Sequence, residues 1–302
     1  MYDVIIIGSG PAGMSAAIYA KRAGMKLLLI EKSPVSGGQV LNTYEVDNYL
    51  GIPGINGYDL CMKFKEHVEK LNCEVLEAEV EKLELQQAVK KVCTEQGDFE
   101  ARNIIIATGA NHAHLNVPGE EELSGMGVSY CATCDGAFFR GKTVAVAGGG
   151  DVAVEDAIFL ARTCEKVYVI HRRDELRAAK ILQEELFALP NVEILWDTVV
   201  TEICGNDMVE KLQIRNVKTE ENSELPVQGI FIAVGIHPDT DLVREEVKCN
   251  DAGYICAGED GATNIPGVFA AGDVREKPLR QIITAVADGA NAAISASKNM
   301  NY

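Results

Sequence analysis

The chain has 302 residues, 47% of them hydrophobic and 24% charged, which is enough to bury a large core and fits about two domains of ordinary size. With 28 basic and 45 acidic residues the formal charge is −17, opposing non-specific attraction to nucleic acid or anionic lipid. The longest apolar runs, 4–7 and 27–30, are far below the ~20 residues that span a bilayer, and only Met1-Tyr2-Asp3 precedes the first, so a cytoplasmic setting without membrane anchor or signal peptide is expected.

The run 4–7 reads as a β-branched strand leading into Gly8-Ser9-Gly10-Pro11-Ala12-Gly13 and then an Ala-rich helix to about residue 23. A strand, a Gly-x-Gly-x-x-Gly turn and a helix in that order form a dinucleotide fingerprint in its required context. Gly8 permits the tight turn, Gly10 lets the backbone approach a pyrophosphate, Gly13 allows close helix packing, and the helix N-terminus attracts phosphate charge. The next strand, 26–30, ends at Glu31, where a carboxylate can accept hydrogen bonds from ribose hydroxyls. Further on, the strand 104–107 ends in Thr108-Gly109, a turn of the kind found at the carboxyl edge of a sheet, where ligands bind.

Nine cysteines are scattered along the chain, and Cys131 and Cys134 are the only two separated by two residues. An odd number without paired spacing does not suit a secreted disulfide framework, so most are expected to be reduced, buried and inert. Cys131-Ala132-Thr133-Cys134 suits a redox disulfide or half a zinc site; no second pair with ligand spacing completes a metal site, which favours the redox reading over zinc or inert thiols. Asp135 follows directly, within plausible reach of a thiolate, and is assigned as general acid/base; a turn or N-cap role beside Gly136 suits the same position.

The fingerprint returns where the strand 143–147 enters Gly148-Gly149-Gly150-Asp151-Val152-Ala153, followed by a helix to about residue 162 and a strand over 166–170. The interval from Gly8 to Glu31 equals that from Gly148 to His171, 23 positions in each. Two copies of one βαβ device are therefore expected. At the end of the second strand Glu31 is replaced by His171-Arg172-Arg173, with Arg177 one helical turn further on. An acid would repel a 2′-phosphate and these cations would hold one, so the second unit reads as selective for NADPH; a solvated basic patch is the plainer alternative. Near the C-terminus a strand over 266–271 ends at Gly272-Asp273, where Asp273 can bond a ribityl hydroxyl. The helix expected over 280–294 can place its N-terminal dipole near a reduced flavin, or simply serve the core.

These motifs resemble those of the low-molecular-weight, bacterial-type thioredoxin reductases, in their order and over nearly the whole chain. Gly8-Ser9-Gly10-Pro11-Ala12-Gly13, Gly37-Gly38-Gln39, Ala107-Thr108-Gly109, Cys131 to Gly136, Gly148 to Gly150, His171 to Asp174 with Arg177-Ala178, and Ala271 to Val274 with Arg280-Gln281 carry the resemblance. It implies an α/β fold of two Rossmann-like domains, with an NADPH domain (114–237) carrying the disulfide inserted into an FAD domain made of 1–113 and 238–302. It further implies a homodimer that passes electrons from NADPH through FAD and Cys131–Cys134 to thioredoxin or a thioredoxin-like protein. Rival acceptors are a glutaredoxin-like or peroxidase-linked carrier, or oxygen in a dithiol oxidase. By the same resemblance FAD is held by Gly8, Gly10, Pro11, Ala12, Gly13, Glu31, Gly38, Gln39, Asn48, Ala107, Thr108, Gly109, Gly272, Asp273, Arg280 and Gln281. NADPH falls to Gly148, Gly150, Asp151, His171, Arg172, Arg173 and Arg177, while Cys134 faces the flavin and Cys131 attacks the partner. Ala137 departs from the pattern, since relatives often carry a bulkier residue there. Because disulfide and nicotinamide site share one domain and must both reach one flavin, that domain is expected to rotate on the Pro/Gly-containing crossings 114–119 and 235–239.

Overall fold

The computed structural model describes residues 1–43 and 46–300, without the side chain of Asn42. They form two compact units. The first comprises 1–43, 49–111 and 237–300, and the second 112–236 together with the short segment 46–48.

The first unit opens with β1 (Tyr2–Ile7), α1 (Pro11–Arg22) and β2 (Leu27–Glu31). Val4, Ile5, Ile6 and Ile7 are all buried, because a parallel strand covered on both faces needs apolar residues at successive positions rather than in alternation. Each such Ile contributes about 1.5–3 kcal/mol by leaving water. Pro11 occupies the first turn of α1, where its missing N–H costs nothing. A 3₁₀ turn at Gly38–Asn42 is followed by α2 (Gly57–Lys70), capped by the Asn56 side chain accepting from the Asp59 N–H at 2.8 Å. Then come β3 (Val75–Glu77), β4 (Val80–Glu84), β5 (Lys90–Thr94), β6 (Gly97–Ile106) and β7 (Ala110–His112).

The second unit contains β8 (Val128–Ser129), α3 (Ala132–Asp135), β9 (Thr143–Gly148), α4 (Asp151–Ala161), β10 (Lys166–Ile170), α5 (Lys180–Phe187) and β11 (Val192–Leu195). An antiparallel set follows, β12 (Thr198–Cys204), β13 (Lys211–Asn216) and β14 (Asn222–Pro226), then β15 (Ile230–Ala233), and the unit ends at the first residue of β16 (Ile236–Pro238). The chain then returns to the first unit for β17 (Val268–Ala270) and α6 (Ile282–Asn299).

The same device organises both sheets. In the first the order β3-β2-β1-β6 is parallel, with β17 also parallel to β6; in the second β11-β10-β9-β15-β8 is parallel throughout. The expected α/β fold with two Rossmann-type units is thus present. One strand is longer than the apolar run 104–107 suggests: β6 starts at Gly97, and its first half pairs antiparallel with β5. The polar alternation of 97–103 hides it, because that half has one exposed face.

The first core is closed by helix packing at small residues. A Cβ on Gly289 of α6 would lie 2.0 Å from the Ala12 carbonyl oxygen of α1, so the two backbones approach as only glycine allows, and the Ser15 hydroxyl donates to the Val286 carbonyl at 2.7 Å. A Cβ on Gly272 would likewise lie 2.8 Å from Ala12 Cβ, so the segment before Asp273 packs against the start of α1. Among the described residues no helix is long and apolar enough to cross a membrane.

Candidate active site

The turn after β1 is shaped by what surrounds it. Gly8 has φ +99°, and a Cβ there would lie 2.5 Å from the Ala107 carbonyl oxygen; one on Gly13 would lie 1.8 Å from the Gly8 oxygen. A Cβ on Gly10 would meet nothing within 4 Å, so the second glycine faces open space where a pyrophosphate can approach. Pro11 and Ala12 begin the helix whose N-terminus points there. A Cβ on Gly38 would sit 3.7 Å from Gly10 Cα, which brings the Gly38-Gln39 turn beside the first one. Glu31 closes the same region: its Oε2 accepts from the Ser9 N–H and hydroxyl, both at 2.7 Å, and its Oε1 from the Ser33 N–H at 2.9 Å. Ser9 carried no signal in the sequence, because any residue fits the variable position of the motif.

Ala107, Thr108 and Gly109 continue from β6. The Ala107 N–H donates to the Ile7 carbonyl at 2.8 Å, the Thr108 hydroxyl to the Asp239 carbonyl at 2.6 Å, and the Asp239 N–H to the Gly109 carbonyl at 3.0 Å. Asp273 Oδ1 is buried with no hydrogen-bond partner among the described residues, as is Arg280 Nε, whose guanidinium lies 3.9 Å over the Tyr254 ring. Burial pushes the Asp273 carboxyl above its ordinary pKa, against the opposing pull of Lys277 and Arg280. An orphaned buried acceptor is a costly feature that a ligand donor would satisfy. With the open space at Gly10, these atoms fit the phosphate and polyol parts of FAD. Arg280 lies before α6 rather than in it, and Gln281 caps the helix in a reciprocal arrangement with Thr284.

Behind this loop stands a group that the sequence did not announce. Asp288, buried on α6, accepts from Arg275 Nε at 2.8 Å and Nη2 at 2.7 Å, from Lys277 Nζ at 2.7 Å and from the Gly272 N–H at 3.0 Å. Burial alone would raise its pKa, but the Arg275 and Lys277 bonds hold it below the usual carboxylate value. It fastens the segment that presents Asp273. Asn48 is exposed, and its segment groups with the second unit.

In the second unit the turn after β9 repeats the pattern: a Cβ on Gly148 would lie 2.4 Å from the Ala233 carbonyl oxygen, and one on Gly150 would meet nothing within 4 Å. The basic loop is tied to this turn. The Arg177 N–H donates to the Gly149 carbonyl at 2.7 Å and the Ala179 N–H to Asp151 Oδ1 at 2.7 Å, so Asp151 anchors the loop through its side chain. Arg172, Arg173 and Arg177 are exposed, and among the described residues none is paired with an acid. His171 differs from its expected place among the cations. It is 5% exposed, its Nε2–H donates to the Glu175 carbonyl at 3.0 Å, and burial lowers its pKa, so it supports the Gly149 turn from beneath as a neutral ring.

Cys131 and Cys134 form a disulfide, with Cα atoms 5.3 Å apart. Cys131 is the N-cap residue of α3, and its carbonyl accepts from the Cys134 and Asp135 N–H groups at 3.2 and 3.1 Å. Asp135 does not cap a helix with its side chain. Its Oδ2 accepts from the Ser129 hydroxyl at 2.6 Å, while Oδ1 is buried without a partner among the described residues. Burial raises its pKa, partly offset by the Ser129 bond, so the protonated form is favoured relative to an exposed carboxyl. Ser129 also accepts from the Cys131 N–H at 3.1 Å, so one hydroxyl links the acid to the dithiol backbone. Just upstream, buried Glu120 accepts from the Leu115 and Asn116 N–H groups and from the Tyr130 hydroxyl at 3.1, 2.7 and 2.8 Å, holding Tyr130 beside Cys131. Neither Ser129 nor Glu120 was legible, since neither lies at a motif spacing. Among the described residues no cluster of three or more His, Cys, Asp or Glu could hold a metal ion.

Comparison with known proteins agrees with this architecture. Residues 2–289 match the family model described as pyridine nucleotide-disulphide oxidoreductase. The thioredoxin reductase of Listeria innocua is 46% identical over 300 residues, covering 99% of this chain and 93% of the relative. The crystal structure of thioredoxin reductase from Streptococcus pyogenes superposes with a TM-score of 0.96 at 48% identity, covering 100% of this chain and 98% of that one. That from Giardia duodenalis gives a TM-score of 0.94 at 33% identity, covering 100% and 99%. With its two glycine turns, its Cys-x-x-Cys disulfide and these full-length relatives, the chain belongs to the pyridine nucleotide-disulphide oxidoreductase family.

Proposed function

We propose that this oxidoreductase is an NADPH-dependent thioredoxin reductase that uses FAD and the Cys131–Cys134 disulfide. The observation that carries this reading is the disulfide itself, placed beside a half-buried acid in the same unit as a glycine turn and a basic loop whose three arginines have no acidic partner among the described residues. Gly10, Glu31, Gly109, Asp273 and Gln281 would hold FAD, and Gly150, Arg172, Arg173 and Arg177 would hold NADPH. Bound FAD would supply a two-electron relay between the nicotinamide and the disulfide.

In balance, NADPH, one proton and the disulfide give NADP⁺ and two thiols. The Cys131 thiolate then attacks the partner's disulfide to form a mixed disulfide, and Cys134 displaces the reduced partner to restore the Cys131–Cys134 bond. Asp135, with its raised pKa, delivers and retrieves the proton. The assignment of Cys131 as attacking thiol rests on the family resemblance. The unit 112–236 is proposed to turn about its two crossings, where Gly235 (φ +147°) takes a backbone conformation that L side chains rarely adopt. A homodimer in the cytoplasm, acting on a small protein and not on nucleic acid or membrane, completes the reading and is consistent with the charge of −17.

Purified protein loaded with FAD is expected to oxidise NADPH on addition of oxidised thioredoxin, with stoichiometric release of thiols. Turnover with a glutaredoxin-type acceptor but not with thioredoxin, or peroxide formed in place of released thiols, would overturn thioredoxin as the substrate.

A further inference from the structure

The basic loop contains one residue of the wrong sign. Arg173 is followed at once by Asp174, and an exposed carboxylate beside three arginines would compete with a 2′-phosphate for them. Asp174 is instead engaged elsewhere: its Oδ2 lies 2.8 Å from Lys218 Nζ, a residue 44 positions downstream at the tip between β13 and β14.

Lys218 is held in place by its surroundings. Asn216 Oδ1 accepts from the Lys218 and Thr219 N–H groups at 2.9 and 3.0 Å, and the Asn216 carbonyl accepts from the Glu220 N–H at 2.9 Å. The tip is then fastened to the basic loop through Asp197. The Val217 N–H donates to the Asp197 carbonyl at 2.6 Å, the Asp197 N–H donates to the Arg173 carbonyl at 3.1 Å, and Lys218 Nζ makes a second ion pair with Asp197 Oδ2 at 3.1 Å. One ammonium therefore faces two carboxylates next to the arginines. Hydrogen bonds to Asp174 and Asp197 raise the Lys218 pKa, and the Lys218 bond holds Asp174 below its ordinary value, so the pair stays charged through neutrality.

We propose that Lys218 is a specificity-determining positioning residue: by engaging Asp174 and Asp197 it keeps Arg172, Arg173 and Arg177 available for the 2′-phosphate of NADPH. This rests on the cofactor reading above and extends it to a hairpin outside the nucleotide-binding motif. Without Lys218, two uncompensated acids would lie against the arginines and weaken binding of the 2′-phosphate alone.

The test uses the full chain and calorimetric titration with 2′,5′-ADP and 5′-AMP, which differ by that phosphate. Lys218→Met is expected to weaken 2′,5′-ADP about three- to fivefold, the range of an exposed charge interaction, and to leave 5′-AMP unchanged. The loss should shrink at high salt, where exposed charges are screened. Asp174→Asn added to Lys218→Met should recover most of the affinity, since it removes the competing acid. Equal weakening of both ligands, no change in either, or no recovery in the double variant would overturn the role of Lys218. A wild-type chain that binds 5′-AMP as tightly as 2′,5′-ADP would overturn it together with the NADPH reading. A wild-type preference that Lys218→Met leaves undiminished overturns this proposal alone.

Discussion

The glycine turns after β1 and β9 place the same obstacles at the same positions, a carbonyl 2.5 Å from a Cβ on Gly8 and 2.4 Å from one on Gly148, and both leave Gly10 and Gly150 facing open space. They diverge where the second strand ends. Glu31 reaches back to Ser9 with its own carboxylate, whereas His171, the equivalent position, is buried under Gly149, and the charge is carried one and two residues later by Arg172 and Arg173. The turn thus leaves the same open approach in either unit, and the two units differ at the end of the strand that follows. The second unit also carries the dithiol, for which the first has no counterpart.

The largest effect should come from removing what the second unit alone possesses. Cys134→Ser is expected to abolish disulfide reduction while NADPH still bleaches the yellow flavin, because the thiols act after the hydride has been transferred. Cys131→Ser should likewise abolish turnover but develop a long-wavelength charge-transfer band at alkaline pH; the band appearing in the Cys134 variant instead would exchange the two roles.

Asp135→Asn should slow thiol–disulfide exchange by about 10²–10⁴-fold, the usual share of general acid–base catalysis. It should also alter stability in a defined direction. Since burial raises the folded-state pKa of Asp135, the folded chain holds this proton more tightly than the unfolded one, and stability is lost as pH rises from the unfolded to the folded pKa. The variant should therefore show a flatter fall of melting temperature over that interval; a steeper one would contradict the burial of Oδ1.

The shared turns predict a contrast within each unit. Gly13→Ala forces a Cβ to within 1.8 Å of the Gly8 carbonyl oxygen and should destabilise the fold by about 3 kcal/mol or more, read from the denaturant midpoint. Gly10→Ala and Gly150→Ala, each with open space around the new methyl, should leave the midpoint unchanged while weakening FAD and NADPH respectively. If Gly150→Ala affected flavin retention and not NADPH, the assignment of the two turns would be reversed.

The smallest of these effects concerns the strand end. Neutralising Arg172, Arg173 and Arg177 together should lower the preference for NADPH over NADH by about 10- to 100-fold, less than buried charge-assisted bonds would give because all three are exposed. Steady-state KM values for the two cofactors measure it, and an unchanged ratio would remove the distinction drawn between Glu31 and the arginines.

What the sequence determined by itself was everything governed by local backbone rules: two strand–turn–helix units at equal spacing, the glycines that shape them, the Cys-x-x-Cys, and the change of charge sign at the strand ends. These are legible because a tight turn, a close helix approach and a dithiol loop each demand particular residues within a few positions. Only the tertiary structure decided which of the candidate polar groups are oriented and by what. It put Ser129 on Asp135, buried His171 as a neutral support, left Asp273 Oδ1 without a partner among the described residues, and brought Asp288 and Lys218 from distant segments to brace the two candidate cofactor loops. It also showed β6 serving two sheet regions at once, parallel at one end and antiparallel at the other. Pairings across tens to hundreds of residues depend on how sheets stack helices against them, and serine, aspartate and lysine at unremarkable positions give no periodic or spacing signal of the partner they will meet.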